Sequence, residues 1–216
     1  MEQKDCIRQS LEVARLLFLR NRTCGASANM SFLLGDRVFV TASGTCFGTL
    51  TEDDFAEISL AGEHLSGKAP SKEWPAHVAM YRLCPGVQAV IHIHGRAGVL
   101  WSTMAHPDPD DCVPKHTPYL EMRVGKTGLV DDYAPGSREL FQALEERILA
   151  CGSRAYLLKR HGALVGGDSV MDAFYNLEEL EESCGVAWEL AGRSVQTFKN
   201  NGVDIFPPAV YNNSTR

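Results

Sequence analysis

The chain has 216 residues, of which 44% are apolar and 22% are charged, as in an ordinary soluble globular protein. Its formal net charge of −6 argues against a nucleic-acid-binding protein, which needs a clustered basic face. No stretch approaches the ~18 apolar residues of a membrane span. The length predicts one domain over residues 1–216, large enough to bury a core without disulfides.

The predicted elements begin with an amphipathic helix, whose apolar positions are Ile7, Leu11, Ala14 and Phe18. Small and polar residues at 24–31 predict a loop. Residues 31–41 then predict a hairpin that turns at Gly35 and Asp36. After a second small-residue loop at 42–45, Thr51 and Asp54 predict the start of a short helix.

Ser71 is a suitable N-cap for a helix that runs to about residue 84, where Pro85 and Gly86 end it. Residues 87–94 predict a strand, and a further helix follows it. Residues 106–136 are rich in proline, aspartate and glycine and carry no clear prediction.

A helix is predicted over 136–150, and two short strands over 154–167 are interrupted at His161 and Gly162. Ser169 begins the last helix. Its acidic residues are expected to face water, and they are Glu178, Glu179, Glu181 and Glu182. The alternation of strands and helices predicts an α/β protein with helices layered on a sheet.

Seven cysteines are widely spaced and form no CxxC pair. Their odd number and spacing indicate reduced thiols. The N-terminal segment, MEQKDCIRQS, has no basic and apolar signal pattern. We therefore expect a cytoplasmic protein.

The stretch VQAVIHIHGRAG, residues 87–98, places two histidines two positions apart in an apolar segment. Strand alternation puts His92 and His94 on one face, and the opposite face holds Val87, Ala89, Ile91 and Ile93. Two rings at a strand end could bind one metal ion. The alternative is a pair of half-buried structural histidines.

A catalytic metal site needs a third protein ligand. The remaining histidines are His64, His77, His106, His116 and His161. His161 is the best placed, because it also follows an apolar strand. His64 and His106 lie in polar segments and are expected to be exposed, whereas His77 shares a helix face with Glu73 and favours a supporting role.

Glu73, in the segment PSKEW, has two readings. Spacing alone favours a glutamate that offsets the helix dipole, and the alternative is a catalytic carboxylate near a metal. The small-residue loops are similarly open to two readings. They could be plain turns, or they could bind a phosphate through backbone N–H groups and the helix start at Ser71.

Five segments together carry a family resemblance: NMS, TASGT, PSKEW, HIH and RHG. In this combination the chain resembles the class II aldolase/adducin family from about residue 5 to residue 195. The resemblance implies a three-layer α/β/α sandwich with a largely antiparallel sheet. It also implies a homotetramer with active sites near subunit contacts.

The same resemblance implies a Zn²⁺ ion, or another divalent metal, held by His92, His94 and His161. It implies that Glu73 is the acid/base and also ligates the resting metal. The phosphate of a small sugar or sugar-acid substrate would bind at Asn29, Ser43, Gly44 and Ser71. Tyr119 lies in TPYLEM, where related aldolases place a catalytic tyrosine; the alternative is a packed tyrosine.

Several positions refine or qualify this resemblance. Lys72 stands where fuculose aldolases have a serine; it would bind phosphate or the departing carboxylate, unless it is a solvated lysine. Residues 116–137 and 176–184 resemble the 3-oxo-tetronate 4-phosphate decarboxylase branch. The chain departs from the family pattern at Ala28, at Ala42 and at the basic pair Lys159-Arg160.

The resemblance therefore implies a zinc-dependent lyase that decarboxylates a 3-oxo-tetronate 4-phosphate to dihydroxyacetone phosphate and carbon dioxide. The alternative is an aldolase that cleaves a ketose 1-phosphate to dihydroxyacetone phosphate and an aldehyde. Both reactions pass through an enediolate, which a Lewis acid stabilises. A third reading, a metal-free scaffold like adducin's head domain, is opposed by the presence of Glu73 and all three histidines.

Overall fold

An eight-stranded sheet forms the centre of the computed structural model, which describes residues 2–191, 199–200 and 203–204. The strands of this sheet are β1 Asn29–Leu34, β2 Arg37–Thr41, β3 Phe55–Ser59, β4 His64–Gly67, β5 Ala89–Ile93, β6 Gly128–Val130, β7 Ala155–Leu158 and β8 Gly162–Gly167. Their order is β4-β3-β2-β1-β5-β8-β7-β6, and every neighbouring pair is antiparallel except β6 and β7. The short strands β9 Lys199–Asn200 and β10 Val203–Asp204 pair with each other.

Helices cover both faces of the sheet, and they are α1 Gln3–Leu19, α2 Trp74–Leu83, α3 Arg96–Ser102, α4 Pro118–Arg123, α5 Arg138–Cys151 and α6 Val170–Leu190. One apolar cluster joins the sheet to α1, α3 and α6, and a second cluster joins the opposite face to α2 and α5. This arrangement confirms the three-layer prediction with a largely antiparallel sheet. Over the described residues, no helix combines the length and the apolar character needed to cross a membrane.

Several local predictions agree with the structure. The first hairpin turns at residues 35–36, because Leu34 pairs with Arg37. Thr51 and Asp54 form a reciprocal capping box around a short 3₁₀ turn. The Ser169 side chain accepts a hydrogen bond from the Asp172 N–H at the start of α6. All seven cysteines are free thiols.

The prediction of a loop at 24–31 is wrong at its C-terminal end, because β1 already begins at Asn29. Asn29 and Ser31 lie opposite His92 and Val90 of β5, so these polar residues belong to a central strand. The short strands β3 and β4 were not predicted either. All four residues of β4 are exposed, so this edge strand has no apolar alternation to reveal it.

Two further predictions need correction near α2 and β5. The helix α2 begins at Trp74, with Glu73 rather than Ser71 at the N-cap position, because residues 71–74 form a turn closed by the Trp74 N–H and the Ser71 carbonyl. Val87 precedes β5 and packs in the cluster that contains α2 and α5, so it does not share the face of Ala89.

Candidate active site

Four side chains converge where β5 ends and α2 begins. His92 is in β5, His94 follows that strand, His161 lies in the turn before β8, and Glu73 directly precedes α2. Each offers one ligand atom, and these four atoms all lie within 4.8 Å of one another. Because β8 pairs with β5, the turn that carries His161 is held against the end of the strand that carries the other two histidines.

Gly162 makes this close approach of backbones possible. A Cβ atom at this position would lie 2.1 Å from the carbonyl oxygen of Ile93 and 3.1 Å from the Cα of His94. Both of these atoms belong to the backbone and cannot move aside as a flexible side chain can. The glycine in the RHG segment is therefore required by the contact that brings His161 to His94.

We expect Gly162→Ala to lower the free energy of unfolding by about 1–3 kcal/mol, because the added methyl group overpacks a backbone contact. Gly185→Ala, in α6, is the matched control, since its Cβ would meet only Ala97 at 3.8 Å. Gly185→Ala should leave the free energy of unfolding unchanged or raise it by up to about 1 kcal/mol, because alanine is a better helix former than glycine. Denaturant unfolding of the metal-free proteins measures both. Equal stability of the two variants would show that the contact is not tight.

Short contacts orient the rings and the carboxylate of the group. His92 donates its Nδ1–H to the Ala163 carbonyl at 2.9 Å, which turns Nε2 toward the group. His92 Nε2 lies 3.1 Å from Glu73 Oε2 and 3.1 Å from His94 Nε2, and His161 Nε2 lies 3.2 Å from Glu73 Oε1. The group is therefore a compact cluster of nitrogen and oxygen atoms, all within 4.8 Å of one another.

The donor set fits a divalent metal ion. Ligand atoms about 2.0–2.1 Å from a tetrahedral Zn²⁺ are roughly 3.3 Å apart, close to the 3.1–3.2 Å separations seen here. His161 Nε2 and Glu73 Oε1 are close but not aligned for a hydrogen bond, and both atoms are buried without a hydrogen-bond partner. Buried polar atoms without partners are costly, and coordination of one ion would satisfy them.

The protonation of the group also suits a metal. Burial raises the pKa of Glu73, but contacts with His161 and His92 outweigh burial and hold that pKa below its usual value. Burial, followed by the neighbouring His92 and His161, lowers the pKa of His94 to about 4. An ionised carboxylate and a neutral imidazole are the forms that bind metals.

A buried chain of hydrogen bonds holds Glu73 from behind. The Asn29 side-chain Nδ2–H donates to Glu73 Oε2 at 3.2 Å, and the side-chain oxygen Oδ1 of Asn29 is 2.6 Å from His77 Nε2. His77 Nδ1 is 2.7 Å from the Ser31 hydroxyl, which is 2.6 Å from the Tyr81 hydroxyl. Burial lowers the pKa of His77 to about 3, so the ring is neutral. The chain therefore directs a hydrogen-bond donor at Glu73.

The sequence signals for this chain were only partial. The sequence favours a supporting role for His77, because His77 shares a helix face with Glu73. The contact between His77 and Asn29 is consistent with that role. Asn29, in contrast, was assigned to a phosphate loop, and its amide is engaged by His77 and Glu73. In β1, Asn29 and Ser31 turn toward α2, whereas Met30 and Phe32 pack in the cluster that contains α1, an alternation that the prediction of a loop at 24–31 overlooks.

The other residues assigned to phosphate binding lie in two adjoining loops. The Ser43 N–H donates to the Ala69 carbonyl, and the Ser71 N–H donates to the Thr41 carbonyl. Ser43 and Gly44 are exposed, whereas Ser71 is buried beside Glu73, whose N–H is 3.3 Å from the Ser71 hydroxyl. The two loops are thus joined to each other, and Ser71 lies next to Glu73.

Lys72 is exposed between Ser71 and Glu73, and its side chain packs against Gly136, where an added Cβ would lie 3.2 Å from Lys72 Cδ. Its positive charge contributes to the lowered pKa of His94, after burial and the two neighbouring histidines. Lys72 therefore places an exposed positive charge near His94.

Two other predicted features lie apart from the four ligand atoms. Lys159 and Arg160 pair with Asp131 and Asp132, so their charges are engaged by the loop after β6. Tyr119, in α4, is 60% exposed, and over the described residues its hydroxyl makes no hydrogen bond to the group.

His64 is exposed as expected, but His106 is half-buried and bonds to the Trp101 carbonyl.

Comparisons with known proteins agree with this geometry. A family described as class II aldolase and adducin N-terminal domain matches residues 8–188. The 3-oxo-tetronate 4-phosphate decarboxylase of Escherichia coli (strain K12) is 36% identical over 185 residues, which are 85% of this chain and 86% of that protein. The L-fuculose phosphate aldolase of Methanocaldococcus jannaschii is 31% identical over 175 residues, 81% of this chain and 91% of that protein.

A solved structure extends the likeness to the fold. The crystal structure of YgbL from Klebsiella pneumoniae, described as a candidate aldolase/epimerase/decarboxylase, is 33% identical with a TM-score of 0.86. The match covers 94% of this chain and 97% of that one. Sequence, fold and the Glu73 and three-histidine group lead to the same assignment. The chain therefore belongs to the class II aldolase/adducin family, and it is a lyase.

Proposed function

We propose that the chain is a zinc-dependent decarboxylase that converts a 3-oxo-tetronate 4-phosphate to dihydroxyacetone phosphate and carbon dioxide. The observation that carries this proposal is the largely buried group of Glu73, His92, His94 and His161, whose ligand atoms all lie within 4.8 Å of one another. The similarity of the whole chain supports the choice of substrate, because the chain is 36% identical to a 3-oxo-tetronate 4-phosphate decarboxylase.

Each member of the group has a separate task in this proposal. The three histidines would hold the metal through neutral rings, and Glu73 would complete the resting coordination with its carboxylate. A bound divalent metal supplies Lewis acidity to the ketone oxygen and the neighbouring hydroxyl oxygen of the substrate. Once substrate is bound, Glu73 would act as the acid/base.

The proposed reaction breaks one carbon–carbon bond. The bond between carbon 1 and carbon 2 cleaves, carbon dioxide leaves, and the electron pair stays on carbon 2 beside the ketone. Glu73, which is ionised in the resting group, would first take a proton from water and then deliver it to carbon 2, so that water is the net proton source. Since Oε2 accepts the Asn29 hydrogen bond, Oε1 is the oxygen free to carry that proton.

The substrate's charges would be met around the entrance of the site. Ser43, Gly44 and Ser71 offer backbone and hydroxyl donors for the phosphate, and Asn29 remains a proposed contact on the same side. Lys72 would balance the phosphate or the departing carboxylate as a point charge. Tyr119 is proposed to reach a site across a subunit contact, and its exposure on α4 leaves it available for that contact.

An aldolase that cleaves a ketose 1-phosphate is the second candidate. The 31% identity to an L-fuculose phosphate aldolase favours it. The two reactions share the metal group and the proton transfer to the carbon beside the ketone, which is carbon 2 in the decarboxylation and carbon 3 in the aldol cleavage, so the four side chains do not separate them. The decarboxylase is preferred because the decarboxylases show the higher identity and because Lys72 adds a cation for a second anionic group.

The proposal is tested by the products formed from matched substrates. Purified zinc-loaded protein is incubated with 3-oxo-tetronate 4-phosphates of both configurations, and separately with L-fuculose 1-phosphate. Carbon dioxide release and aldehyde release are followed in parallel. Carbon dioxide from a 3-oxo-tetronate 4-phosphate is the expected result. Aldehyde release without any carbon dioxide would replace the decarboxylase with the aldolase.

Replacing Lys72 should weaken substrate binding without affecting the metal. We expect Lys72→Met to raise KM by roughly tenfold, which corresponds to about 1.4 kcal/mol for one charge-assisted contact. Lys68→Met is the matched control, because Lys68 is also an exposed lysine and pairs with Asp54. Steady-state kinetics measures both variants. If Lys72→Met keeps the KM of the control, Lys72 is a solvated lysine.

We also propose that the chain forms a homotetramer and acts in the cytoplasm. Exposed apolar side chains on α4, including Met122 at 74% exposure, support a subunit contact, and seven free thiols support a reducing compartment. Light scattering of the purified protein tests the assembly.

A further inference from the structure

Glu181 is a buried acid that the proposed reaction does not use. It lies in the acidic run of α6 that was expected to face water, and that prediction is wrong for Glu181, which is only 1% exposed. Its neighbours in the run behave differently, since Glu178 and Glu182 reach Arg20 and Arg22 near the end of α1. Helical spacing turns Glu181 away from them toward α3.

The Glu181 carboxylate sits at the start of α3. Its Oε1 accepts a hydrogen bond from the Gly98 N–H at 3.0 Å. Gly95 occupies the N-cap position of α3, where no side chain caps the helix, so Glu181 of α6 provides the missing acceptor. Burial raises the pKa of Glu181, and the backbone N–H groups of Gly98 and Ala97 oppose that shift.

Two glycines make room for this carboxylate. A Cβ at Gly95 would lie 2.3 Å from Glu181 Cδ, and a Cβ at Gly98 would lie 2.7 Å from Glu181 Oε1. Neither glycine has a positive φ, so neither is required by its backbone conformation. Their lack of a side chain is explained by the space that Glu181 occupies.

The contact between Glu181 and the start of α3 affects the proposed metal site through His94. His94 directly precedes Gly95, beyond the last residue of β5, so no strand pairing holds its backbone. The start of α3 is therefore the nearest fixed structure on its C-terminal side. Glu181 anchors that start from α6, which packs beside α3 in the same helical layer of the sandwich.

We propose that Glu181 is a positioning residue that fixes the backbone at His94 and thereby sets the affinity of the site for zinc. The inference rests on the proposed metal site. It assigns no chemistry to Glu181, which acts only through the first turn of α3. Residues that orient metal ligands typically change metal affinity by about 10–100-fold when they are replaced.

The test measures zinc affinity by competition with a chromophoric chelator in folded, metal-free protein. Glu181→Leu removes the acceptor at similar size and should weaken zinc binding by about tenfold or more. Glu181→Gln keeps an acceptor oxygen and should restore affinity to within about threefold of the unmodified protein. Glu182→Leu is the control, because that carboxylate is exposed, and it should bind zinc normally.

Thermal unfolding without zinc separates positioning from simple stabilisation. A Glu181→Leu variant that melts earlier but binds zinc as tightly as the control would overturn the inference. If that variant does not fold, Gly95→Ala displaces the carboxylate from the other side, and unchanged zinc affinity there would overturn it equally. If the unmodified protein itself binds no zinc, the proposed function fails instead, which is a distinguishable result.

Discussion

Glu73→Gln is expected to lower turnover by a factor on the order of 10² or more while zinc still binds. Glutamine has nearly the same shape as glutamate and keeps an oxygen that can accept the Asn29 hydrogen bond. It cannot, however, carry the proton that carbon 2 requires. The three histidines are untouched, so metal content should fall little. Turnover with 3-oxo-tetronate 4-phosphate and metal analysis are measured on the same preparation.

Glu63→Gln is the control for this substitution, because Glu63 is exposed and lies outside the group. It should leave both turnover and metal content unchanged. Full activity in Glu73→Gln would contradict the acid/base role. Glu73 would then only offset the helix dipole or hold the resting metal.

The second large effect is expected from His161→Ala. The ring is 8% exposed, and it supplies one of the three nitrogen ligands in the proposal. Its loss leaves two histidines and Glu73, so zinc affinity should fall sharply. Without the metal's several kcal/mol of stabilisation, turnover should drop by on the order of 10² or more.

His64→Ala provides the matched comparison, since His64 is an exposed histidine on the edge strand β4. Zinc content after dialysis and turnover at saturating zinc distinguish the two variants. If His161→Ala retains tightly bound zinc, the ligand assignment is wrong, and either His77 or a carboxylate outside the described group would have to replace it.

The convergence of the three histidines could be anticipated from sequence because their positions follow local rules. Alternation alone placed His92 and His94 on one face, and their rings do lie side by side at 5.0 Å between centroids. His161 followed from its place after an apolar strand. The step from a pair of histidines to a site needed the family resemblance, since Glu73 had a simpler explanation as a helix-start acid.

The parts that were missed depend on contacts between distant segments. Glu181 stands among other glutamates, and only the packing of α3 against α6 distinguishes it. Asn29 sits in a polar segment, and its partner His77 is 48 residues away. Edge strands such as β4 lack a buried face, so no periodicity marks them. In each case the deciding interaction lies outside any local window of sequence.

The central claim is that one metal ion, held by Glu73 and three histidines, is required for carbon dioxide release. The most direct measurement is a zinc titration of metal-free protein, with bound ions and carbon dioxide release followed together. We predict that both saturate at one ion per chain and that a chelator reverses both. Carbon dioxide release that is the same with and without metal, or saturation without any activity, would contradict the account.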